Sequence, residues 1–213
     1  MSFGDFRKPY LGGHIKGLSY VLDTLSRELG VLFIVSAGNV PGSQKDGLEW
    51  KNGYPDYMIE DTWAIVEPAP ALNVITVGSL ARHDQTTNSQ RYSGDPAEVP
   101  IARHNQPSPF SRRGHSIGGA IKPDLMAYGG NWAVNTRAGA NVLVPNSGLG
   151  ELSTSREFAG GRLLADESGT SMAAPHVAHL ATLILSAYPE ANRDIVRALL
   201  VSHAAIPESS EAL

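Results

Sequence analysis

Residues 14–29, HIKGLSYVLDTLSREL, place Ile15, Leu18, Val21, Leu22, Leu25 and Leu29 at helical spacing, so the segment predicts an amphipathic helix. Gly30 directly after it is a C-terminal stop signal. Val31-Leu32-Phe33-Ile34-Val35 follows as an unbroken run of branched and aromatic residues, ending in Ser36-Ala37-Gly38-Asn39. That run predicts a short strand buried on both faces, as in a parallel sheet. Asn73 to Gly78, NVITVG, predicts a second such strand, and Ile121 to Ala127 a weaker one. Helical spacing returns at 169–187 and 192–203. A helix feeding at once into a buried strand points to α/β winding.

The intervening segments read differently. Residues 40–72 are rich in Pro, Gly, Asp and Trp without a period and predict a long surface excursion. Residues 84–120 are polar and rich in turn formers, with Pro109-Phe110-Ser111 as a brief strand, and 131–165 supply a hairpin and loops. No repeat or linker divides the chain, so residues 1–213 are expected to form one domain.

Composition narrows the function classes. Of 213 residues 42% are hydrophobic, and 22 Gly with 14 Pro make about one residue in six. That share lies below the roughly 25–30% of a low-complexity chain, which excludes disorder and collagen. A net charge of −4 offers no attraction to a polyanion, so no nucleic-acid partner is expected. The absence of cysteine excludes disulfides, thiolate zinc sites and a cysteine nucleophile, and leaves the compartment open. No run of about 18 apolar residues predicts a membrane-spanning helix. Residues 1–13, MSFGDFRKPYLGG, lack the apolar core of a secretory leader, so any leader would lie upstream and the location is left unknown.

The chemistry concentrates in Glu167-Ser168-Gly169-Thr170-Ser171-Met172-Ala173-Ala174-Pro175-His176-Val177-Ala178. A turn at Gly169-Thr170 feeds a helix apolar on nearly all sides (Met172, Val177, Leu180, Leu183, Ile184, Leu185), which predicts passage through the middle of a domain. Pro175 lies four residues after Ser171 and cannot donate to its carbonyl, which is tolerable only in the first helical turn. A hydroxyl there is either a helix cap or a nucleophile whose oxyanion the free N–H groups stabilise. Asn39, after a buried strand, is either a turn residue or a second oxyanion donor at the sheet rim, where ligands of open α/β sheets sit.

Gly169-Thr170-Ser171-Met172-Ala173-Ala174-Pro175-His176-Val177-Ala178 resembles the serine motif of the subtilisin-like serine peptidases (subtilases), Gly-Thr-Ser-x-Ala-x-Pro-His-Val-Ala, at every fixed position. Val35-Ser36-Ala37-Gly38-Asn39 is similar to the segment carrying that family's oxyanion asparagine. Ile75 to Gly78, Phe110 to Gly114, Lys122-Pro123-Asp124 and the region after Pro189 resemble further family blocks in the same order, so the likeness covers essentially the whole chain. It implies a doubly wound, mostly parallel sheet with helices on both faces, lacking its N-terminal strands. It implies Ser171 as nucleophile and Asn39 as oxyanion donor. Ser2-Phe3-Gly4 would bind substrate backbone, and Ser36-Ala37-Gly38 would wall the specificity pocket. No cofactor is identifiable; calcium is implied by the resemblance alone, with no ligands placed.

The chain also departs from the family. His179 stands in place of a glycine and Tyr128 in place of a proline. The family's Asp-Thr-Gly-like and His-Gly-Thr-His-like motifs, which precede its serine, do not occur in these 213 residues. Local substitutes fit poorly. His176, five residues after Ser171, faces elsewhere and reads as a buried, satisfied histidine. Asp5 and His14 are too close in sequence to flank a strand, crossover and helix. Asp194 and His203 follow the α/β-hydrolase order, but the 42 residues after Ser171 are too few for that fold. His83, His104, His115 and His179 read as surface or loop residues. The expectation is a serine endopeptidase fragment, inactive alone, with Asp and His upstream. Its partners would be a peptide substrate and a separate N-terminal half. A pseudopeptidase or peptide-binding module is the alternative.

Overall fold

The structure, a computed structural model, describes residues 1–2, 4–42, 47–138, 142–145 and 148–211. In chain order the described elements begin with helix α1 (Gly17–Leu29) and strands β1 (Ile34–Ser36) and β2 (Ile75–Leu80). Helix α2 (Thr87–Arg91) and strands β3 (Glu98–Pro100), β4 (Gly114–His115), β5 (Ile121–Lys122) and β6 (Leu125–Tyr128) follow. Strands β7 (Ala133–Asn135), β8 (Leu143–Val144), β9 (Glu151–Thr154) and β10 (Leu164–Glu167) come next. Helices α3 (Thr170–Ala187), α4 (Arg193–Ser202) and α5 (Glu208–Glu211) close the sequence of elements.

The central sheet is parallel, in the order β1-β2-β6. β2 is buried at all six positions, as an apolar strand covered on both faces should be. Side-chain alternation sorts its neighbours. Val35 packs with Leu22 of α1 on one face, while Ile34, Ile75 and Val77 pack with Ala173, Val177 and Val196 of α3 and α4 on the other. This is an α/β fold with helices on both faces. The remaining pairings, β3-β7-β8, β4-β5 and β9-β10, are short and antiparallel.

Several expectations hold in detail. α1 ends on Gly30, whose φ of 65° is the left-handed cap conformation that glycine adopts without steric cost. Asp23 on α1 accepts from the N–H groups of Leu72 (3.0 Å) and Asn73 (2.6 Å), fixing where β2 begins. The weak strand at 121–127 is two strands, β5 and β6, separated at Pro123. There Lys122, itself buried, donates to Asp124 Oδ2 (2.7 Å) and to the Val74 carbonyl (3.1 Å). Asp124 in turn accepts from Thr76 N–H (2.7 Å) and pairs with Arg197 of α4 (3.4 Å), so one carboxylate joins β2, β5 and α4. Pro109-Phe110-Ser111 contributes a single bridge, Asn39 to Ser111, rather than a strand.

Other expectations are corrected. The strand forecast from Val31 begins only at Ile34, and Val31 is exposed. Residues 40–72 are not a surface excursion: Val40, Trp50, Tyr57, Met58 and Trp63 are buried with Ile101 and Val134 in a second core. Its rings meet edge to face, Trp50 on Tyr57 at 5.5 Å and on Trp132 at 5.4 Å, a geometry the ring quadrupoles favour. Short 3₁₀ turns at Asp56–Ile59 and Asp61–Trp63 deliver Tyr57, Met58 and Trp63 without a helical or strand period to announce them. Finally, α3 does not run through the middle of the described structure. Ala173, Ala174, Val177 and Ala181 face the sheet, but Leu180, Leu183 and Leu185 are 43–51% exposed.

Candidate active site

α3 begins at Thr170, which puts Ser171 in the first turn, as Pro175 requires. Its start is set by backbone contact with the end of β6. Gly169 N–H donates to the Gly129 carbonyl (2.7 Å), and a methyl built on Gly129 would lie 2.6 Å from the Gly169 carbonyl oxygen. Glycine is needed for that approach. The Ser171 carbonyl, which Pro175 leaves without its usual donor, accepts from Ser2 Oγ at 3.5 Å, and Ser171 Oγ donates back to the Ser2 carbonyl at 3.5 Å. Ser2 therefore lies directly against the serine.

Asn39 sits just past the C-terminal end of β1. Its Oδ1 accepts from both the N–H (2.9 Å) and the hydroxyl (2.9 Å) of Thr170, and the same Thr170 oxygen accepts from Gly38 N–H (3.2 Å). A backbone N–H can only donate, so this contact fixes which end of the amide is oxygen. Nδ2 is thereby turned toward the helix start, where a methyl built on Gly169 would lie 2.9 Å from it. Among the described residues Nδ2 has no hydrogen-bond acceptor. The result is a polarised N–H donor, held from behind, beside the positive end of α3.

Arg112 secures this turn from beneath. It is 3% exposed, and its Nε donates to the Asn39 carbonyl (3.0 Å) while Nη1 donates to the carbonyls of Thr62 and Ala64 (2.8 Å each). Burial lowers its pKa from the ordinary arginine value. Carbonyl dipoles, not a carboxylate, compensate the charge. Gly38, at φ 94°, passes so close that a methyl on it would lie 2.7 Å from Val66 Cγ2 and 3.1 Å from Arg112 Cδ.

The structure thus brings together Ser2, Gly38, Asn39 and Ser171. Ser36 and Ala37 are buried at the end of β1, with Ala37 N–H donating to Val77 (2.8 Å). Gly4 lies against Val66 and Glu67. Phe3 is outside the described residues. Thr170, Arg112 and Val66 were not singled out from the sequence. Thr170 was visible only as part of a motif, Arg112 acts through partners 48 to 73 residues away, and Val66 meets Gly38 across a segment without periodicity.

All seven histidines are exposed. His176 is not the buried residue expected: its Nε2 lies 3.7 Å from Glu151 Oε2 at the surface. His179 is exposed, so it crowds no helix contact. Asp5 pairs with Arg7 (3.0 Å) and Lys8 (3.8 Å), Asp194 with Arg193 (3.3 Å), and His203 Nδ1 contacts the Leu199 carbonyl (2.9 Å). Among the described residues, no histidine or carboxylate hydrogen-bonds to Ser171. No group of three His, Asp or Glu side chains among them is placed to hold a metal ion. No helix among them is long and apolar enough to cross a membrane.

The profile of the Subtilase family matches residues 1–212. The chain belongs to the subtilase family. It is 39% identical over 216 residues to the uncharacterized protein y4bN of Sinorhizobium fredii, across 99% of this chain and 48% of that protein. It is 34% identical over 140 residues to serine protease AprX of Bacillus subtilis, across 66% of this chain and 26% of that one. The chain thus spans about half or less of the length of these relatives. Among solved structures it resembles a protease of Pseudoalteromonas arctica at 20% identity and TM-score 0.50, covering 92% of this chain and 42% of that one. A psychrophilic protease matches at 22% identity and TM-score 0.50, covering 98% of this chain and 48% of that one. These two likenesses bear on the fold, and they agree with the parallel sheet and its flanking helices.

Proposed function

We propose that these 213 residues are the nucleophile-bearing part of a serine endopeptidase catalytic domain, completed by residues outside this chain. The observation that supports the reading is Asn39, whose Oδ1 is tied to Thr170 while Nδ2 faces Gly169 at the start of the helix that carries Ser171. Ser171 Oγ attacks the carbonyl carbon of the scissile peptide bond. A histidine from outside the chain takes the hydroxyl proton, and an aspartate holds its imidazole in the right tautomer. Negative charge developing on the substrate oxygen meets Asn39 Nδ2 and the Ser171 backbone N–H, both already oriented. Collapse of the tetrahedral species passes the proton to the leaving amine and leaves an acyl ester on Ser171. Water then attacks that ester and releases the acid. An extended substrate segment lies along Ser2-Phe3-Gly4, with Ser36-Ala37-Gly38 as the facing wall.

The exposed leucines of α3 support a second part of the proposal: further sequence, in the same or a separate chain, covers Leu180, Leu183 and Leu185 and carries the histidine and aspartate. The test is active-site labelling. The full-length protein should react rapidly with a fluorophosphonate and its Ser171→Ala variant should not. Residues 1–213 alone should neither label rapidly nor cleave casein. A full-length protein that folds, binds peptide and never labels would establish a non-catalytic binding module instead. Rapid, Ser171-dependent labelling of residues 1–213 would overturn the need for outside groups.

A further inference from the structure

A cavity of about 660 Å³ shares Arg112 with the serine site, although none of Ser2, Gly38, Asn39 or Ser171 lines it. Its size falls within the roughly 300–1,000 Å³ of small-molecule sites. β2 and β6 contribute Leu80, Leu125 and Met126 to the wall, the 3₁₀ turn at Asp56–Ile59 contributes Met58 and Ile59, and the chain beyond α4 contributes Ile206. That last segment is strapped in place at its far end, where Ser209 Oγ donates to the His104 carbonyl (3.0 Å) and Ser210 Oγ to the Asn105 carbonyl. Ile59 is 75% and Ile206 71% exposed, so apolar surface continues out to the mouth.

Two cations interrupt this apolar lining, Arg112 and Arg113. Arg112 is 3% exposed and engages only carbonyls, through Nε and Nη1. Arg113 does the same, with Nε on the Met58 carbonyl (2.6 Å) and Nη2 on that of Ile59. Among the described residues, Arg112 Nη2 and Arg113 Nη1 have no acceptor, and neither arginine pairs with a carboxylate. Asp124 lines the same cavity, but its oxygens are taken by Lys122, Thr76 N–H and Arg197. Asp56, also at the cavity, is exposed, so water screens its charge. We infer that this cavity binds an apolar monocarboxylate, whose anion accepts from the two free guanidinium nitrogens while its chain lies along Leu80, Leu125 and Met126. Burial disfavours the Arg112 charge, and a bound anion relieves that cost. Guanidinium–carboxylate hydrogen bonds are also roughly twice as strong as neutral ones. A phosphate dianion would lose more hydration on entering apolar surroundings, which favours the singly charged group.

The experiment is isothermal titration of the full-length protein, and it needs no turnover, so its outcome is separate from that of the peptidase reading. Decanoate, kept below its micelle concentration, should bind at one saturable site. Decanol, with the chain but not the charge, should bind at least about tenfold more weakly, the scale of a hydrogen bond to a charged group. N-acetyl-leucyl-leucine presents the same carboxylate on a peptide. Tighter binding than decanoate identifies a peptide C-terminus as the ligand, and weaker binding a free fatty acid. Arg113→Gln keeps a donor but removes the charge and should weaken decanoate by about tenfold or more. Ala205→Trp, at an exposed position that lines the cavity, should fill it and weaken decanoate by a comparable factor. Thermal melting reports whether each variant is folded. Decanol bound as tightly as decanoate overturns the inference, as do folded variants that bind decanoate like the wild type. Folded full-length protein that binds none of the three probes overturns it too, the result expected if another stretch of chain fills the cavity.

Discussion

Replacing Thr170 with valine exchanges a hydroxyl for a methyl of nearly the same shape and isolates what that oxygen does. In the native chain it donates to Asn39 Oδ1 (2.9 Å) and accepts from Gly38 N–H (3.2 Å) in a site where Thr170 is 1% exposed. Losing the bond to Asn39 costs about 0.5–1.5 kcal/mol, and leaving a largely enclosed Gly38 N–H without an acceptor costs about 1–3 kcal/mol. The expected destabilisation is therefore about 1.5–4.5 kcal/mol. At about 2–4 °C per kcal/mol for a chain of this size, the melting temperature falls by about 3–18 °C. Thr170→Ser keeps both bonds and loses one methyl, for about 1 kcal/mol. Urea unfolding followed by tryptophan fluorescence suits the measurement, because Trp50 and Trp63 are fully buried and report loss of packing. The midpoint should drop further for valine than for serine, with the slope unchanged. A valine variant as stable as the serine variant would refute the role assigned to this hydroxyl. Asn39 Oδ1 still accepts from Thr170 N–H after the change, so on the proposed peptidase reading turnover of the full-length protein should fall by less than in Asn39→Ala. For that variant subtilisin's own asparagine, not a calculation on this chain, sets a scale of about 10²–10³-fold.

Two further outcomes follow from buried ionisable groups. Asp124→Ala strands the Lys122 ammonium, whose side chain is 1% exposed, and should cost about 3–5 kcal/mol in urea unfolding. The paired change Lys122→Met with Asp124→Leu should cost less than Asp124→Ala alone, and equal or greater loss would contradict the ion-pair account. Alkaline pH should unfold the chain through Tyr54 and Tyr57, whose hydroxyls burial pushes well above the ordinary 10.0. Above pH 10 the unfolded tyrosines ionise while the folded ones hold their protons, so stability falls as pH rises, by about 1.4 kcal/mol per pH unit for each. Lys51 and Lys122, lowered by burial, act oppositely, but only below the ordinary lysine value of 10.5. Tyr57→Phe should therefore roughly halve the slope of stability against pH above 10.5, and an unchanged slope would refute the assignment.

The parts of this molecule legible in its sequence are those governed by near neighbours. Gly30 stops α1 through its own backbone freedom, and Pro175 places Ser171 in the first turn through one missing N–H. The apolar run of β2 announces a covered strand because both of its faces are apolar. Trp50, Tyr57 and Trp63 were misjudged because short turns gather them without periodicity, so nothing local distinguishes a buried tryptophan from an exposed one. The sequence of α3 reports apolar character all round, but not which of its faces the chain itself covers. Asn39 and Ser171 were recognisable as candidates. The support given by Thr170 and Arg112 was not, because it crosses 131 residues from Thr170 to Asn39 and 73 from Arg112 to Asn39.

The same separations govern when the serine site comes into existence. Ser2 meets Ser171 across 169 residues, and no segment shorter than that can bring the two together. Contacts of such high order reward the chain only after most of its loop-closure entropy has been spent, so they belong to the last steps of folding. A ribosome-bound or half-folded chain consequently displays the motif without the assembled donor pair.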